Sequence, residues 1–358
     1  MANTEVATGS ILAIKRWCDQ LTRETFGKMS ITSLIGSGPT SCIQLLTDLD
    51  KNPGDNMVFD MMPQDRSDGV NGDSRLKGFE TPLSFFQDDL KINQKRHGHS
   101  FTGMSQQRTL HDLNAVAKSS LSEWWSWFIE ASLFAHMAGV SGVGEETVLG
   151  ALGADTAGTD FAGNAINALD AGHLVDNNAS AFSLAQIDKA VAKAKVNNPR
   201  VAPIMIDGRE CYVAYLHPYQ VKAMKLEASS SATVLGWSTA QQFAGARGES
   251  NPIFTGALGV YNNVILRESE FIPTSVSTVR HGLMLGQGAG VIALGNAWKK
   301  QSRVSSGGGG AFFSYATEDD DYGNVTGIAA GSILGLSRPM FNSKAFGVIG
   351  LRSTDAAP

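Results

Sequence analysis

The sequence predicts an α+β fold, and three observations carry that expectation. Strand-like and helix-like patterns come in blocks and do not alternate as they would in a doubly wound parallel sheet. One apolar stripe, stepping by three and four, runs from Met104 to Val140, about three times the ~11-residue average helix. Residues 201–226 read as strand, turn, strand and helix, with Asp207-Gly208 at the turn and Pro218 opening the helix, where its missing N–H costs nothing.

In residues 1–50, Ile11, Leu12, Ile14, Trp17, Leu21 and Phe26 are spaced as on a helix, but the segment has little apolar mass and reads as an arm lying on something else. Residues 51–100 read as a long hairpin, with "NMVFDMM" entering and "PLSFFQDDLKINQ" leaving it. Between them lies a finger, Met61 to Gly78, with six charged side chains, three of each sign, and three glycines. Almost nothing in it could enter a core, and Asn71-Gly72 is a tight-turn signal because both residues accept positive φ. An ordinary exposed hairpin fits this pattern as well as a loop devoted to a partner.

Residues 104–140 then predict one continuous helix, with Leu110, Leu113, Ala117, Leu121, Trp124, Phe128, Ala131 and Ala135 on its stripe and Gly139 near its end. At ~1.5 Å per residue it would span roughly 50 Å. Residues 141–182, rich in Gly, Ala, Asp and Asn, read as a long loop or small insertion. "SLAQIDKAVAKAKVNN" is an amphipathic helix with Ser183 as N-cap. Beyond residue 226, "GVYNNVILRES" reads as a strand, "GQGAGVIALGNAW" as an apolar glycine-rich stretch, "SSGGGG" as a flexible turn and "KAFGVIGLRST" as a closing strand.

The bulk numbers bound the function. The 358 residues with 42% hydrophobic content are enough for two or three lobes. Only 18% are charged, against ~25% in ordinary soluble chains, and 39 are glycine, a composition suited to surfaces covered by neighbours. The net charge of −5 provides no global basic field for nucleic acid, which leaves only a local basic face. Cys18, Cys42 and Cys211 are odd in number, widely spaced and without a CxxC, so they read as reduced thiols of a cytosolic chain. The N-terminal stretch has no secretory n-region or h-region, and no run approaches eighteen apolar residues, so no membrane partner is expected.

Chemistry is hard to place. "GSGPTS" at Gly36 lacks the lysine that a phosphate loop needs, and "GQGAGV" at Gly286 misplaces its third glycine. "VSGVG" around Ser141 is not GxSxG. His97 and His99 share a strand face, with His111 further on, but no ligand-spaced Cys, Asp or Glu joins them. "EDDDYG" hints at calcium, yet counted from Asp319 the sixth and twelfth places hold Asn324 and Ala330 instead of Gly and Glu. Trp124, Trp125 and Trp127 carry no interleaved Lys or Arg, so they read as core and interface edge more than as a platform for bases. No catalytic residue, cofactor site or metal site is expected, and the chain is expected not to be an enzyme. "KINQKRHGH" is a true basic cluster, suited to phosphates or to acidic groups on another chain.

The order of arm, charged hairpin, oversized helix and mixed lobe resembles the major capsid proteins of tailed bacteriophages, with the Hong Kong 97-like fold. "GFETPLSFFQDDLKINQKRH", "SQQRTLHDLNAVAKSSLSEWW", "DAGHLV" before "IDKAVAKAK", "DYGNVTGIAAGSILG" and "MFNSKAFGVIGLRST" look like the branch typified by coliphage N-four. The resemblance implies an N-terminal arm at 1–50 and an extended loop at 51–100. It implies a peripheral domain at 101–200 with a spine helix at 104–140, and an axial domain at 201–295. C-terminal strands at 296–358 would return to the peripheral sheet. It implies self-assembly into pentamers and hexamers of an icosahedral virion shell around double-stranded DNA, bound at the inner face without sequence specificity and assembled in the host cytoplasm. A portal and separate scaffolding or decoration proteins are the other implied partners, since no long scaffolding segment precedes the arm.

In such shells the loop lies across a neighbour, and its mixed charges can match several slightly different neighbours. Asp65, Arg66, Asp68, Asp73, Arg75 and Lys77 on the finger, and Lys91, Lys95 and Arg96 at its base, are therefore the expected inter-subunit contacts. Two rivals remain at this point: an encapsulin-type compartment with the same fold, and a nucleotide-binding enzyme working through Gly36 or Gly286.

Overall fold

Helix and sheet positions come from a computed structural model, which describes residues 21–47, 54–62, 68–82, 85–140, 158–177, 180–206, 208–226, 258–275, 278–295 and 313–355. Residues 21–28 are helical (α1) and lead through Ile35–Gly36 (β1) to Ile43–Leu46 (β2). Asn56–Met61 (β3) and Phe86–Lys91 (β4) pair antiparallel, from Asn56 opposite Lys91 to Met61 opposite Phe86. Asn93–Thr102 (β5) follows at once. The hairpin therefore ends at Lys91, and the last part of the 51–100 span belongs to a larger sheet.

The expected continuous helix over 104–140 is corrected. It is two helices, Gly103–Arg108 (α2) and Leu113–Ala138 (α3). The break has a local cause: Asp112 accepts hydrogen bonds from the Asn114 and Ala115 N–H groups and so caps a new helix. Gln106 bridges the gap, donating to the His111 carbonyl at 3.1 Å and accepting from the Leu113 N–H at 3.1 Å. Leu110, counted on the stripe, is wholly exposed in this gap. Gly139 ends α3 at φ 68°, where a Cβ would collide with the Asn167 carbonyl, so both the turn and the close approach require glycine.

Gly158–Thr159 (β6) and Ala165–Ile166 (β7) form a small hairpin inside the span read as loop, and Leu174–Asn177 (β8) follows. Leu184–Val196 (α4) starts after Ser183, as expected, although the Ser183 side chain makes no cap hydrogen bond. Ile204–Ile206 (β9), Arg209–Leu216 (β10) and Pro218–Leu226 (α5) give the expected strand, turn, strand and helix. "GVYNNVILRES" holds two strands, Val260–Tyr261 (β11) and Val264–Glu268 (β12), because Asn262 and Asn263 take positive φ and reverse the chain. The remaining strands are Thr274–Ser275 (β13), Val279–Leu285 (β14), Gly290–Leu294 (β15), Ser314–Asp320 (β16), Val325–Ser337 (β17), Met340–Phe341 (β18), Lys344–Ala345 (β19) and Val348–Thr354 (β20). The "SSGGGG" stretch and Ser141 lie outside the described residues.

Two sheets organise these strands. Six strands pair in the order β1-β2-β15-β17-β16, with β5 also on β17. Eight belong to the second, ordered β11-β12-β10-β14-β20-β8, with β9 on β10 and β13 on β14. Sheet membership crosses the boundaries expected at 200, 295 and 296. Among the C-terminal strands, β16 and β17 lie in the six-stranded sheet and β20 in the eight-stranded one. That strand is almost wholly buried and pairs with β14 from Val279↔Thr354 to Leu285↔Val348.

The eight-stranded sheet is buried on both faces, as the strand period of two demands. Val213, Tyr215, Leu283 and Leu285 turn to one core with Leu121, Phe128 and Leu133 of α3. Tyr212, Ala214, Met284 and Ile349 turn to another with Ile187 of α4 and Val221 of α5. The first core is also held by a polar staple from the segment after α1. Ser30 donates its N–H to the buried Glu130 of α3 at 3.1 Å and also hydrogen-bonds Glu130 through its hydroxyl. The Ser30 carbonyl accepts from Tyr215 at 3.1 Å and from Arg267 at 3.2 Å.

Candidate assembly surfaces

The finger is built outward from a buried base. Met57 and Leu90 pack with Val291 and Ala293, so the lower hairpin is anchored on β15. The rings of Phe86 and Phe341 lie 4.2 Å apart, and Asp88 accepts from the Met340 N–H at 2.9 Å. Burial pushes the Asp88 carboxyl above the ordinary range, against the pull of the Met340 and Asp89 N–H groups.

Beyond this base the described part of the finger, residues 68–82, is coil and exposed except for half-buried Val70. Asp68, Asp73, Arg75 and Lys77 all stand in solvent, while Asp65 and Arg66 lie outside the described residues. Gly72 has φ 61°, as the Asn71-Gly72 reading requires, but no two-residue turn joins the strands; a second turn follows at Lys77 and Gly78. Sequence reasoning overlooked Leu76, Phe79 and Phe85, exposed by 58%, 73% and 60%. Their signal was present: large apolar side chains in a segment that no core can receive. Alternating cations and exposed apolar groups at Arg75, Leu76, Lys77 and Phe79 suit a contact surface.

The basic cluster at the finger's base does not act as one patch. Lys91 is exposed at the end of β4, and Lys95 turns toward its own helix, with its Nζ 5.2 Å from the Phe128 ring centre and 5.7 Å from that of Phe161. Arg96, next on β5, alternates to the other face and is exposed. His97 stacks on Trp124 at 4.2 Å, and His99 meets His97 edge-on at 5.1 Å. Burial, with His99 and Lys95 nearby, lowers the His97 pKa. These histidines line an aromatic column, and among the described residues no group of three His, Cys, Asp or Glu could hold a metal ion.

"EDDDYG" is the tip of the β16–β17 hairpin, with Asp319 opposite Thr326 and Tyr322 fully exposed. The two glycine-rich stretches meet in the fold, and the donors of the second are already used. Gly286, Gln287, Gly288 and Ala289 donate their N–H groups to the carbonyls of Gly347, Ala202, Ser41 and Cys42, at 2.7–3.0 Å. A phosphate cradle needs such groups free, so this geometry gives no support to nucleotide binding at Gly286. Among the described residues no helix is long and apolar enough to cross a membrane.

Residues 5–357 match the family described as phage capsid protein. The chain belongs to that family. It is similar to the major capsid protein of Pseudomonas phage KPP25, with 24% identity over 369 residues and 93% of each chain covered. Among solved structures it is similar to the capsid of Ralstonia phage GP4, with a TM-score of 0.75 and 27% identity, covering 100% of this chain and 99% of that one. It also resembles the cyanophage Pam1 capsid, with a TM-score of 0.68 and 19% identity, covering 100% and 95%. The fold is α+β and Hong Kong 97-like, as the resemblance implied, and the chain is a virion component.

Proposed function

We propose that this chain is the major capsid protein of a tailed bacteriophage, forming the shell that encloses its double-stranded DNA. Its work is association, and no step of it requires catalysis. Pentamers and hexamers of one chain close an icosahedral container, assembled in the host cytoplasm, with a portal at one vertex and separate scaffolding or decoration proteins as further partners. α3 with the six-stranded sheet forms the peripheral domain, and most of the eight-stranded sheet, with α4 and α5, forms the axial domain.

The observation that carries the reading is the finger: anchored at its base and exposed along residues 68–82, it offers charges and apolar side chains that its own chain does not use. Asp65, Arg66, Asp68, Asp73, Arg75 and Lys77 meet neighbouring copies, and Lys91 and Arg96 extend the contact at the base. Lys95 contributes mainly within its own subunit. Each exposed ion pair is worth about 0–1 kcal/mol, but the contact repeats at every copy, so weak pairs add up to a durable shell.

The test is to express the chain alone and with candidate scaffold proteins, then to separate the products on a density gradient and image them. Closed particles or capsid-like sheets and tubes support the reading. Small oligomers under all conditions contradict it, and uniform particles carrying a protein cargo and no capacity for DNA would favour a compartment shell.

A further inference from the structure

We infer that Asn164 fixes the direction in which the finger leaves the subunit, and through it the geometry in which copies join. The assembly half of this inference rests on the capsid reading, whereas the clamp itself does not. The joint lies at Lys91 and Ile92, between β4 and β5. There the Lys91 N–H donates to Asn164 Oδ1 at 2.8 Å, and Asn164 Nδ2 donates to the Lys91 carbonyl at 2.9 Å. One side-chain amide thus supplies both the acceptor and the donor that a neighbouring strand would supply. On β17, the Lys91 carbonyl lies so close to Gly335 that a Cβ there would collide with it. The Ile92 N–H closes the hairpin on the Asp55 carbonyl at 2.9 Å.

Asn164 is itself held rigid. Asp160 Oδ1 accepts from the Ala162 N–H at 2.9 Å and the Asn164 N–H at 2.7 Å, and Asp160 Oδ2 accepts from Asn164 Nδ2 at 3.2 Å. The turn between them needs Gly163 at φ 86°. Asp160 in turn meets His136 Nε2, in the last turn of α3, at 3.2 Å, with both side chains 1% exposed. A continuous polar chain therefore runs from the long helix through His136, Asp160 and Asn164 to the backbone where the finger departs. Further out, Met57 and Leu90 on β15 and Asp88 on the Met340 N–H also hold the base of the hairpin, so Asn164 sets the angle together with them, whereas residues 68–82 bury almost nothing against their own chain and correct nothing. Asp at 164 would oppose a carboxylate oxygen to the Lys91 carbonyl and to Asp160, while Ala would remove both bonds.

The test pairs hydrogen exchange on unassembled subunits with electron microscopy of assembled ones. In the wild type, the Lys91 amide exchanges far more slowly than the amides of residues 68–82. Asn164→Ala speeds it by about tenfold or more while α3 stays protected. Its particles lose their single diameter, giving mixed sizes or open sheets. Asn93→Ala, which removes a nearby bond to the Phe161 carbonyl at 3.1 Å, keeps the wild-type diameter. Asn164→Ala particles of wild-type diameter overturn the inference. So does a wild-type Lys91 amide that exchanges as fast as the finger, a result that decides the matter even if Asn164→Ala proves insoluble. A wild-type chain that never forms shells refutes the capsid reading instead, and the exchange arm then still decides the clamp.

Discussion

Leu121→Asp, compared with Val116→Asp on the same helix, tests whether one face of α3 is the core of the subunit. Leu121 is fully buried, in the cluster that contains Trp125, Phe128 and Leu133, whereas Val116 is 52% exposed. Both changes add the same charge, but Val116 lies in the first turn of α3, where a carboxylate suits the helix N-terminus and Val and Asp differ little in helix propensity. At Leu121, loss of the buried side chain costs about 2–5 kcal/mol, and an unpaired carboxyl adds several more. The sum approaches or exceeds a domain's whole margin of about 5–15 kcal/mol. At Val116 the remaining cost is within about 0.5 kcal/mol. Soluble yield, far-ultraviolet dichroism and thermal melting of the two variants are the assay. Leu121→Asp is expected to be insoluble or unfolded, and Val116→Asp to melt with the wild type. A soluble Leu121→Asp with wild-type helix content and melting would refute the assignment of this face to the core.

Deleting Asp68 to Ser74 should leave the subunit's melting unchanged and abolish shells, read by calorimetry and microscopy, because these residues bury almost nothing in their own chain. Reversing Arg75 and Lys77 together to glutamate should slow assembly at low salt without lowering subunit melting, followed by light scattering over a salt series. Lys95→Glu should instead destabilise the unassembled subunit by about 1 kcal/mol, because its ammonium sits over Phe128 and Phe161; denaturant unfolding measures it. The buried Glu130 carboxyl is raised above its ordinary 4.5, by burial first and Glu270 as well, against hydrogen bonds from Ser30 and Ser269. The folded subunit therefore holds this proton more tightly than the unfolded chain. Its stability contribution is greatest below the ordinary value and falls as pH rises through the raised one. Glu130→Gln should remove that fall, so its stability relative to wild type rises from acid to neutral pH in paired unfolding curves.

What the sequence revealed depended on the range of the signal. The β3 and β4 flanks, the β9–β10 hairpin, Pro218 at the start of α5 and Gly139 at the end of α3 are local features, and local chemistry located them. The break before α3 was also written locally, in Asp112 and Gln106, but the apolar steps from Leu110 to Leu113 masked it. Partner choice among strands was not legible. β20 reads as an apolar strand suited to either sheet, and only its pairing with β14 and β8 decides which. The clamp at Asn164 gave no signal, because a buried Asn that bonds a backbone 73 residues away looks like any loop residue. The charged finger was legible because charge and glycine exclude it from any core. Its apolar groups Leu76, Phe79 and Phe85 carried the same signal but were overlooked among the charges.

Cryo-electron microscopy of particles assembled from the chain shows whether copies close into a shell by laying the finger of one across another. The expected image is an icosahedral lattice of pentamers and hexamers, each subunit carrying both sheets and α3, with density for residues 68–82 against a neighbouring copy. A lattice in which those residues fold back onto their own subunit, or particles whose shell contains no copies of this chain, would contradict it.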